Sequence, residues 1–141
     1  MELTPYLNFN GQCEEAFKFY EACLGGKIES MMRYEGSPMA QEAPAGCGKK
    51  ILHVRMTVGG QALMGADALP PHFQKPQGFS ITLGLNDPAE AQRIFHALAE
   101  NGTVTVALQK TFWAARFGML VDRFGVSWMV IVQPEAAAMA A

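Results

Sequence analysis

The sequence has few cysteines, no run of basic residues and no long apolar segment. Its three cysteines are odd in number and none has the Cys-x-x-Cys spacing, so neither a disulfide framework nor a thiolate zinc site is expected. Eleven Lys and Arg against thirteen Asp and Glu leave a formal charge of -2. This balance argues against the basic surface of a nucleic-acid-binding protein. No apolar stretch approaches the roughly 18 residues that a membrane-spanning helix needs.

Several familiar functional motifs are also missing. The sequence contains no Gly-x-Ser-x-Gly, no His-Glu-x-x-His and no glycine-rich phosphate loop, the signatures of serine hydrolases, zinc proteases and nucleotide-binding enzymes. No glycine-rich turn follows the first predicted strand, where a nucleoside cofactor would bind. The opening MELTPYLNF lacks a basic segment followed by an apolar one, so no signal peptide is predicted and a cytoplasmic location is expected. We therefore expect neither nucleic acid nor membrane as a partner.

What the sequence does contain is an internal repeat. Half of its residues are hydrophobic, which is enough for a filled core. Two segments place apolar residues at i, i+3, i+4, i+7 and i+8, the spacing of a helix with one buried face. The two sets lie a constant 75 residues apart: Ala16, Phe19, Tyr20, Cys23 and Leu24 are matched by Ala91, Ile94, Phe95, Leu98 and Ala99.

The ends of both predicted helices carry capping signals. The second helix begins at Asp87 and Pro88, a capping residue followed by a proline at the first helical position. The first helix ends at Gly25 and Gly26, where a left-handed residue can close the last turn. The second ends similarly, at Asn101 and Gly102. The repeat therefore includes helix starts and stops as well as the buried stripe.

Around each helix the apolar period changes from 3.6 to 2, which predicts strands. In the first half these are residues 3–9, 27–34, 50–58 and 61–66, the last two joined by a Gly59-Gly60 turn. In the second half they are residues 79–85, 103–108, 117–122 and 126–132. Each half is thus a strand, a helix and three strands.

This order predicts an α+β fold made of two βαβββ modules, about 3–68 and about 77–133, followed by an Ala-rich tail at 134–141. We expect the modules to form one domain over residues 1–141, with a cupped mixed β-sheet and the helices outside. The same arrangement could arise by exchange of modules between two chains. A ferredoxin-like pair is disfavoured because three strands follow each helix.

Several segments resemble a known family. PYLNFNG, EEAFKFY, LGG, LMGAD, DPAEAQRIF and, above all, TFWAARFG followed by DRFGVSWMV are similar to the PhnB-like branch of the vicinal oxygen chelate superfamily. That superfamily contains the glyoxalases, bleomycin-resistance proteins and extradiol dioxygenases. The resemblance covers about Leu3 to Val132. It implies paired βαβββ modules, a cupped sheet and a homodimer.

The resemblance also implies where a metal ion would bind. Metal-dependent members hold it with four His or Glu side chains, two from each half. Carried over to this sequence, the four positions fall on Thr4 or Pro5, His53, Ser80 and Met129. Of these residues only His53 is an ordinary metal ligand. A catalytic metal site normally has three protein ligands. We therefore expect no bound metal and no other cofactor.

Two groups of residues are candidates to bind a small molecule in the first half. His53 alternates with apolar neighbours and should point into the cup, where it could transfer a proton or hydrogen-bond a ligand; the alternative is a purely structural contact with a neighbouring strand. Tyr6 and Asn8 should share the face opposite Leu7 and Phe9. Met64 is a candidate for an adaptable apolar floor.

The second half offers three more candidates. Met129 occupies the place that matches Met64. Trp113 and Arg116, in a connection between strands, would set an aromatic wall beside a cation, suited to a planar or anionic molecule. The alternative is that Trp113 fills a corner and Arg116 pairs with Asp122 or another carboxylate. Trp128 is expected in the core.

Three further side chains are ambiguous. Cys13 lies near a helix start, where the helix dipole could lower its thiol pKa. Cys47, in a stretch rich in Gly and Pro, is predicted to be an exposed thiol. Asp67 could bind a ligand or simply close a turn.

These observations leave three functional hypotheses. The first is a small-molecule-binding protein without the metal site, acting by sequestration or by metal-free chemistry at His53. The second is a divalent-metal-dependent lyase, isomerase or dioxygenase that uses His53 with ligands at other positions. The third is a structural dimer whose cleft has no function. The sequence does not decide whether the chain is an enzyme, and it does not name the ligand.

Overall fold

The computed structural model describes residues 1–134, and the predicted Ala-rich tail, from residue 135 on, lies outside them. The chain divides into two compact units, which we call unit 1 (Met1–Lys75) and unit 2, which begins at Pro76. None of the helices in residues 1–134 is both long and apolar enough to cross a membrane.

Unit 1 is a four-stranded mixed sheet with one α-helix. Its elements are β1 (Tyr6–Phe9), α1 (Cys13–Leu24), β2 (Lys27–Arg33), a short 3-10 helix (Ala40–Glu42), β3 (Ile51–Val58) and β4 (Gln61–Asp67). The strand order is β1-β4-β3-β2. β1 pairs parallel to β4, whereas the other pairs are antiparallel.

Unit 2 repeats this topology. Its elements are β5 (Ile81–Leu85), α2 (Pro88–Ala99), β6 (Thr103–Gln109), β7 (Arg116–Val121) and β8 (Ser127–Val132). The order is β5-β8-β7-β6, again with the first strand parallel to the last and the others antiparallel. The predicted α+β fold of two βαβββ modules is confirmed. The joining of the two modules into one cupped sheet stays a prediction.

The helix ends follow the capping signals of the sequence. Gly25 adopts a left-handed conformation, φ 69°, and its N–H donates to the Glu21 carbonyl, which closes α1. The Asp87 side chain accepts a hydrogen bond of 3.0 Å from the Ala89 N–H at the start of α2. Both helices therefore begin and end close to the predicted residues.

Each helix packs its apolar stripe on one face of its sheet. Four of the five predicted stripe residues of α2 are buried, Ala91, Ile94, Phe95 and Leu98, whereas Ala99 is only half-buried. In α1 the buried aromatic residues are Phe17 and Tyr20, whereas Phe19 and Leu24 are only half-buried. The prediction that Phe19 lies on the buried stripe is therefore wrong, because the helix is rotated toward Phe17.

Glycines in the sheets let the helices approach closely. A methyl group on Gly65 would lie 2.6 Å from Cε1 of Phe17, and one on Gly118 would lie 2.7 Å from Cε2 of Phe95. These distances are too short for carbon atoms in contact. In both units the aromatic ring of the helix, Phe17 or Phe95, therefore packs directly on the strand backbone at a glycine.

A buried carboxyl group joins three segments of unit 1. Asp67, at the end of β4, is 2% exposed. One of its oxygens accepts hydrogen bonds from the Gly11 and Cys13 N–H groups, at 2.9 and 3.0 Å. The other accepts from the Ile51 N–H at 2.9 Å. Asp67 thereby fixes the turn into α1 and the start of β3.

We predict that Gly118→Ala destabilises the protein by about 1–3 kcal/mol, because the new methyl group overlaps Phe95 and the Leu108 backbone. Gly84→Ala is the matched control, since no atom of the described residues lies within 4 Å of its added methyl and its effect should stay within about 1 kcal/mol. Urea unfolding of both variants measures the difference. Equal losses of stability would contradict this packing.

We predict that Asp67→Ala lowers the free energy of unfolding by about 3 kcal/mol or more, because it leaves three N–H groups without their acceptor. Asp67→Asn should cost less, since its amide oxygen still accepts from two of them. Asp87→Ala, which removes an exposed helix cap, should cost about 1 kcal/mol. Denaturant unfolding ranks the three variants, and an Asp67→Ala protein as stable as Asp87→Ala would refute the anchoring role.

Candidate functional site

The sheet of unit 1 has one face that α1 covers and a second face, which we call the open face. Along β1 the side chains alternate between the two. Leu7 and Phe9 are each 2% exposed, on the helix side, whereas Tyr6 is 46% exposed and Asn8 is also exposed. The predicted orientation of Tyr6 and Asn8, opposite Leu7 and Phe9, is confirmed.

Strand register places a row of side chains across the open face. Tyr6 on β1 lies beside Met64 on β4, Met64 lies beside Arg55 on β3, and Arg55 lies beside Ser30 on β2. His53, two residues before Arg55, points to the same face and neighbours Met32. Three predicted site residues, Tyr6, His53 and Met64, therefore come together on one surface.

Tyr6 and His53 form a hydrogen-bonded pair. The Tyr6 hydroxyl lies 3.2 Å from Nδ1 of His53, and the ring centroids are 5.8 Å apart with an interplanar angle of 30°. Partial burial raises the pKa of Tyr6, so the phenol keeps its proton at neutral pH. When this hydroxyl donates to Nδ1, the ring proton of neutral His53 lies on Nε2. The pair then presents both a hydroxyl and an N–H at the surface.

Arg55 is a residue of the open face that the sequence interpretation missed. Its Nη1 lies 3.1 Å from Oε1 of Glu2, with side-chain exposures of 33% and 58% for the two residues. The Thr4 hydroxyl donates to the same carboxylate oxygen at 2.9 Å. Hydrogen bonds from Arg55 and Thr4 lower the pKa of Glu2, which is charged at neutral pH. The alternation of β3 that places His53 on this face also places Arg55 there.

Unit 2 has an open face of its own. Met129 lies beside Thr82 and Met119, and the Thr82 hydroxyl is 3.8 Å from its sulfur. Trp113 is 43% exposed, and its ring centroid lies 4.8 Å from that of Phe117. Trp113 is therefore a partly exposed aromatic surface rather than a fully buried corner residue.

Arg116 and Trp128 have mainly structural contacts. Nη1 of Arg116 donates to the Ala115 carbonyl at 2.6 Å. Trp128 is 1% exposed, and its Nε1–H donates to Asp122 at 2.8 Å. The Asp122 carboxyl group also accepts from the Phe124 and Val126 N–H groups, which fixes the turn between β7 and β8. The prediction that Trp128 belongs to the core is confirmed.

The repeat also identifies which positions in the two units are equivalent. β1 pairs with β4 through Tyr6 and Met64, and β5 pairs with β8 through Thr82 and Met129. His53 lies on β3, one strand further from β1. The predicted match of Met129 with Met64 therefore agrees with the strand register, and His53 lies outside these paired positions. The paired positions carry two hydroxyls and two thioethers, which do not fit a divalent iron, zinc, nickel or manganese site.

The part of the chain that the structure describes contains no group of three or more His, Cys, Asp or Glu side chains that could hold a metal ion. Two expectations for the cysteines are wrong. Cys47 is 7% exposed rather than a surface thiol. Cys13 is fully buried, and burial together with Asp67 raises the pKa of its thiol, opposite to the expected effect of the helix start.

A charged cleft of about 520 Å³ lies elsewhere on unit 1, lined by Gly11, Glu14, Arg33, Glu35, Gly46, Lys49 and Lys50. Nη2 of Arg33 lies 2.7 Å from Oε2 of Glu14, and its Nη1 donates to the Lys49 carbonyl. Arg33 and Lys18 lower the pKa of Glu14 to about 2. These pairs tie α1 to β2 and to the segment before β3, so we assign the cleft a structural role.

Comparison with known proteins identifies relatives over nearly the whole chain. A family model described as 3-demethylubiquinone-9 3-methyltransferase matches residues 1–131. Protein YjdN of Escherichia coli (strain K12) is 34% identical over 140 residues, which cover 94% of this chain and 95% of that protein. The crystal structure of protein PA1353 from Pseudomonas aeruginosa is 47% identical, with a TM-score of 0.87 and coverage of 94% of this chain and 98% of that one.

Two further solved structures have a similar fold. A PhnB protein from Bacillus cereus is 28% identical, with a TM-score of 0.79 and coverage of 94% and 99% of the two chains. A glyoxylase/bleomycin resistance protein/dioxygenase domain from Frankia sp. EAN1pec, 8% identical, has a TM-score of 0.63 over 94% of this chain and 95% of that one, a likeness of fold alone. The chain therefore belongs to the PhnB-like family whose model is described as 3-demethylubiquinone-9 3-methyltransferase, and it has the glyoxalase-like fold.

Proposed function

We propose that this chain is a small-molecule-binding protein of the glyoxalase/bleomycin-resistance type, and that it holds an organic ligand on the open face of unit 1 without a metal ion. The observation that carries the proposal is the hydrogen-bonded pair of Tyr6 and His53, 3.2 Å apart, beside Met64. A few convergent polar groups next to an adaptable apolar side chain are typical of ligand-binding surfaces.

The chemistry of the pair favours a ligand with hydrogen-bonding groups. The Tyr6 phenol and the His53 imidazole can each donate and accept, and both rings offer flat apolar faces. His53 could also transfer a proton to or from a bound molecule near neutral pH. The pair therefore supports either sequestration or metal-free chemistry at His53.

Asn8 is the remaining proposed ligand contact of unit 1, whereas Met129, Trp113 and Arg116 are proposed ligand contacts of unit 2, taken by itself. Asn8 extends the polar surface of β1 past Tyr6. In unit 2 the exposed Trp113 ring, backed by Phe117, suits a planar molecule, and Met129 offers a second polarizable surface. Arg116 stays a predicted cationic contact for an anionic group. The aromatic and thioether side chains of unit 2 would suit a planar ligand.

The absence of a metal ion is part of the proposal. Its support is the donor set at the repeat-equivalent positions, where Tyr6 and Met64 in unit 1 match Thr82 and Met129 in unit 2. Neutral hydroxyl and thioether groups bind first-row divalent ions weakly. The proposed function therefore includes no step that needs a metal ion.

The family description names a methyltransferase, but the turn after β1 does not favour a nucleoside cofactor. That turn contains one glycine, Gly11, and its N–H and that of Cys13 donate to Asp67. A phosphate or nucleoside site of this type uses a glycine-rich turn with available backbone N–H groups. We further propose a homodimer, as the family resemblance implies. A cytoplasmic location stays a prediction.

We predict that a panel of planar aromatic acids, quinones and phenols contains compounds that raise the melting temperature of the protein, because a ligand of the native state stabilises it. His53→Ala and Tyr6→Phe should weaken binding about tenfold or more, since each removes a hydrogen-bonding group. His96→Ala, an exposed histidine of α2, is the matched control and should bind normally. Thermal-shift titration of the four proteins makes the measurement.

Two results would count against the proposal. In the first, no compound of the panel shifts the melting temperature. In the second, the shifts persist unchanged in both His53→Ala and Tyr6→Phe, which would place the binding site elsewhere.

A further inference from the structure

An arginine in the row that crosses the open face of unit 1 forms an ion pair with a glutamate. Tyr6, Met64 and Arg55 occupy neighbouring positions on β1, β4 and β3. Adjacent strands are about 4.8 Å apart, so the backbones at Tyr6 and Arg55 are separated by about 10 Å. Between the phenol and the guanidinium lies the flexible side chain of Met64.

The cation in this row is bound by a carboxylate from the segment that precedes β1. Glu2 lies 3.1 Å from Nη1 of Arg55, and the Thr4 hydroxyl orients the same carboxylate oxygen. The contact is made by side chains far apart in sequence. Glu2 therefore occupies the position that the carboxylate of a bound molecule would take on Arg55.

We propose that Arg55 recognises the anionic group of a planar acidic ligand, and that Glu2 is an intramolecular competitor that the ligand displaces. This inference rests on the proposed binding function of the open face and names the chemical class of the ligand. The flat body of the acid would lie over Met64, with its far end toward Tyr6 and His53. Its carboxylate would form the charge-assisted hydrogen bonds that a guanidinium provides.

The exposure of the pair makes displacement feasible. Glu2 keeps 58% of its side-chain exposure, and an ion pair so open to solvent contributes little to stability. Loss of the competitor should therefore raise the affinity for an acid by no more than about fivefold. Loss of Arg55 itself should lower it by about tenfold to a hundredfold, because hydrogen bonds to charged groups are stronger.

The test compares 2-naphthoate with 2-naphthamide, which has the same shape but no charge. Isothermal titration calorimetry measures the affinity of the full chain and of Glu2→Gln, Arg55→Gln and the double variant. Glu100→Gln, which alters an exposed glutamate 3.9 Å from Arg123 in unit 2, is the control for a change of net charge. Thermal unfolding of each variant verifies that it is folded.

The proposal predicts that Glu2→Gln binds 2-naphthoate about twofold to fivefold more tightly, with no change for 2-naphthamide. Arg55→Gln should lose most of its preference for the acid, and Glu2→Gln should have no further effect in that background. Glu100→Gln should match the unaltered chain. Together these results would establish a competitor acting through Arg55.

The contrary outcomes separate the two proposals. Acid and amide could bind with equal affinity, and Glu2→Gln could change neither affinity. In that case the open face binds ligands but Arg55 does not recognise their charge, and this inference is wrong. If Glu2→Gln and Glu100→Gln improve acid binding equally, the effect is net charge and the inference is also wrong. If neither probe binds the unaltered chain while other compounds of the panel raise its melting temperature, the proposed function stands and this inference is wrong. If no compound of the panel does so either, the proposed function fails and this inference fails with it.

Discussion

The arrangement of each unit follows from one constraint: a four-stranded sheet has two faces, and its α-helix covers only one. On the covered face the residues are apolar, and glycines replace side chains where a helix aromatic ring approaches the backbone, at Gly65 and Gly118. On the other face the same strands carry Tyr6, His53, Arg55 and Met64. Because strand side chains alternate, the residues that bury the helix and the residues available for binding are interleaved along each strand. Stability and function therefore share the same short segments.

A buried carboxyl group then determines how precisely the open face is positioned. Asp67 joins the turn after β1, the start of α1 and the start of β3 through three hydrogen bonds. β1 carries Tyr6 and β3 carries His53, so the anchor fixes the two strands whose side chains form the hydrogen-bonded pair. Burial, together with this carboxyl group, also raises the pKa of the Cys13 thiol. Of the two roles considered for Asp67, binding a ligand or closing a turn, these hydrogen bonds support the second.

The sequence predicted the fold well because its three main signals are local. The helix stripes, the helix caps and the period-2 segments each depend on residues close together in the sequence, and the strand limits agree to within a few residues. Phe17 and Phe19 flank the same stripe, so the pattern alone could not choose which one faces the sheet. The match of Met129 with Met64 was also predicted, whereas the hydrogen bond between Tyr6 and His53 required strand pairing, which depends on contacts distant in sequence. Arg55 was missed because its partner, Glu2, lies outside every predicted element.

The family description names a methyltransferase, whereas the side chains of the open face favour the binding of a small molecule. A methyltransferase would need a binding site for its nucleoside cofactor, which the turn after β1 does not favour. A metal enzyme would need more His or Glu ligands. The proposed function requires that the open face bind an organic molecule through its own side chains, without a metal ion. Elemental analysis of protein purified without chelators tests it most directly: the account predicts far less than one iron, zinc, nickel or manganese ion per chain. A near-stoichiometric ion that is lost in His53→Ala would contradict it.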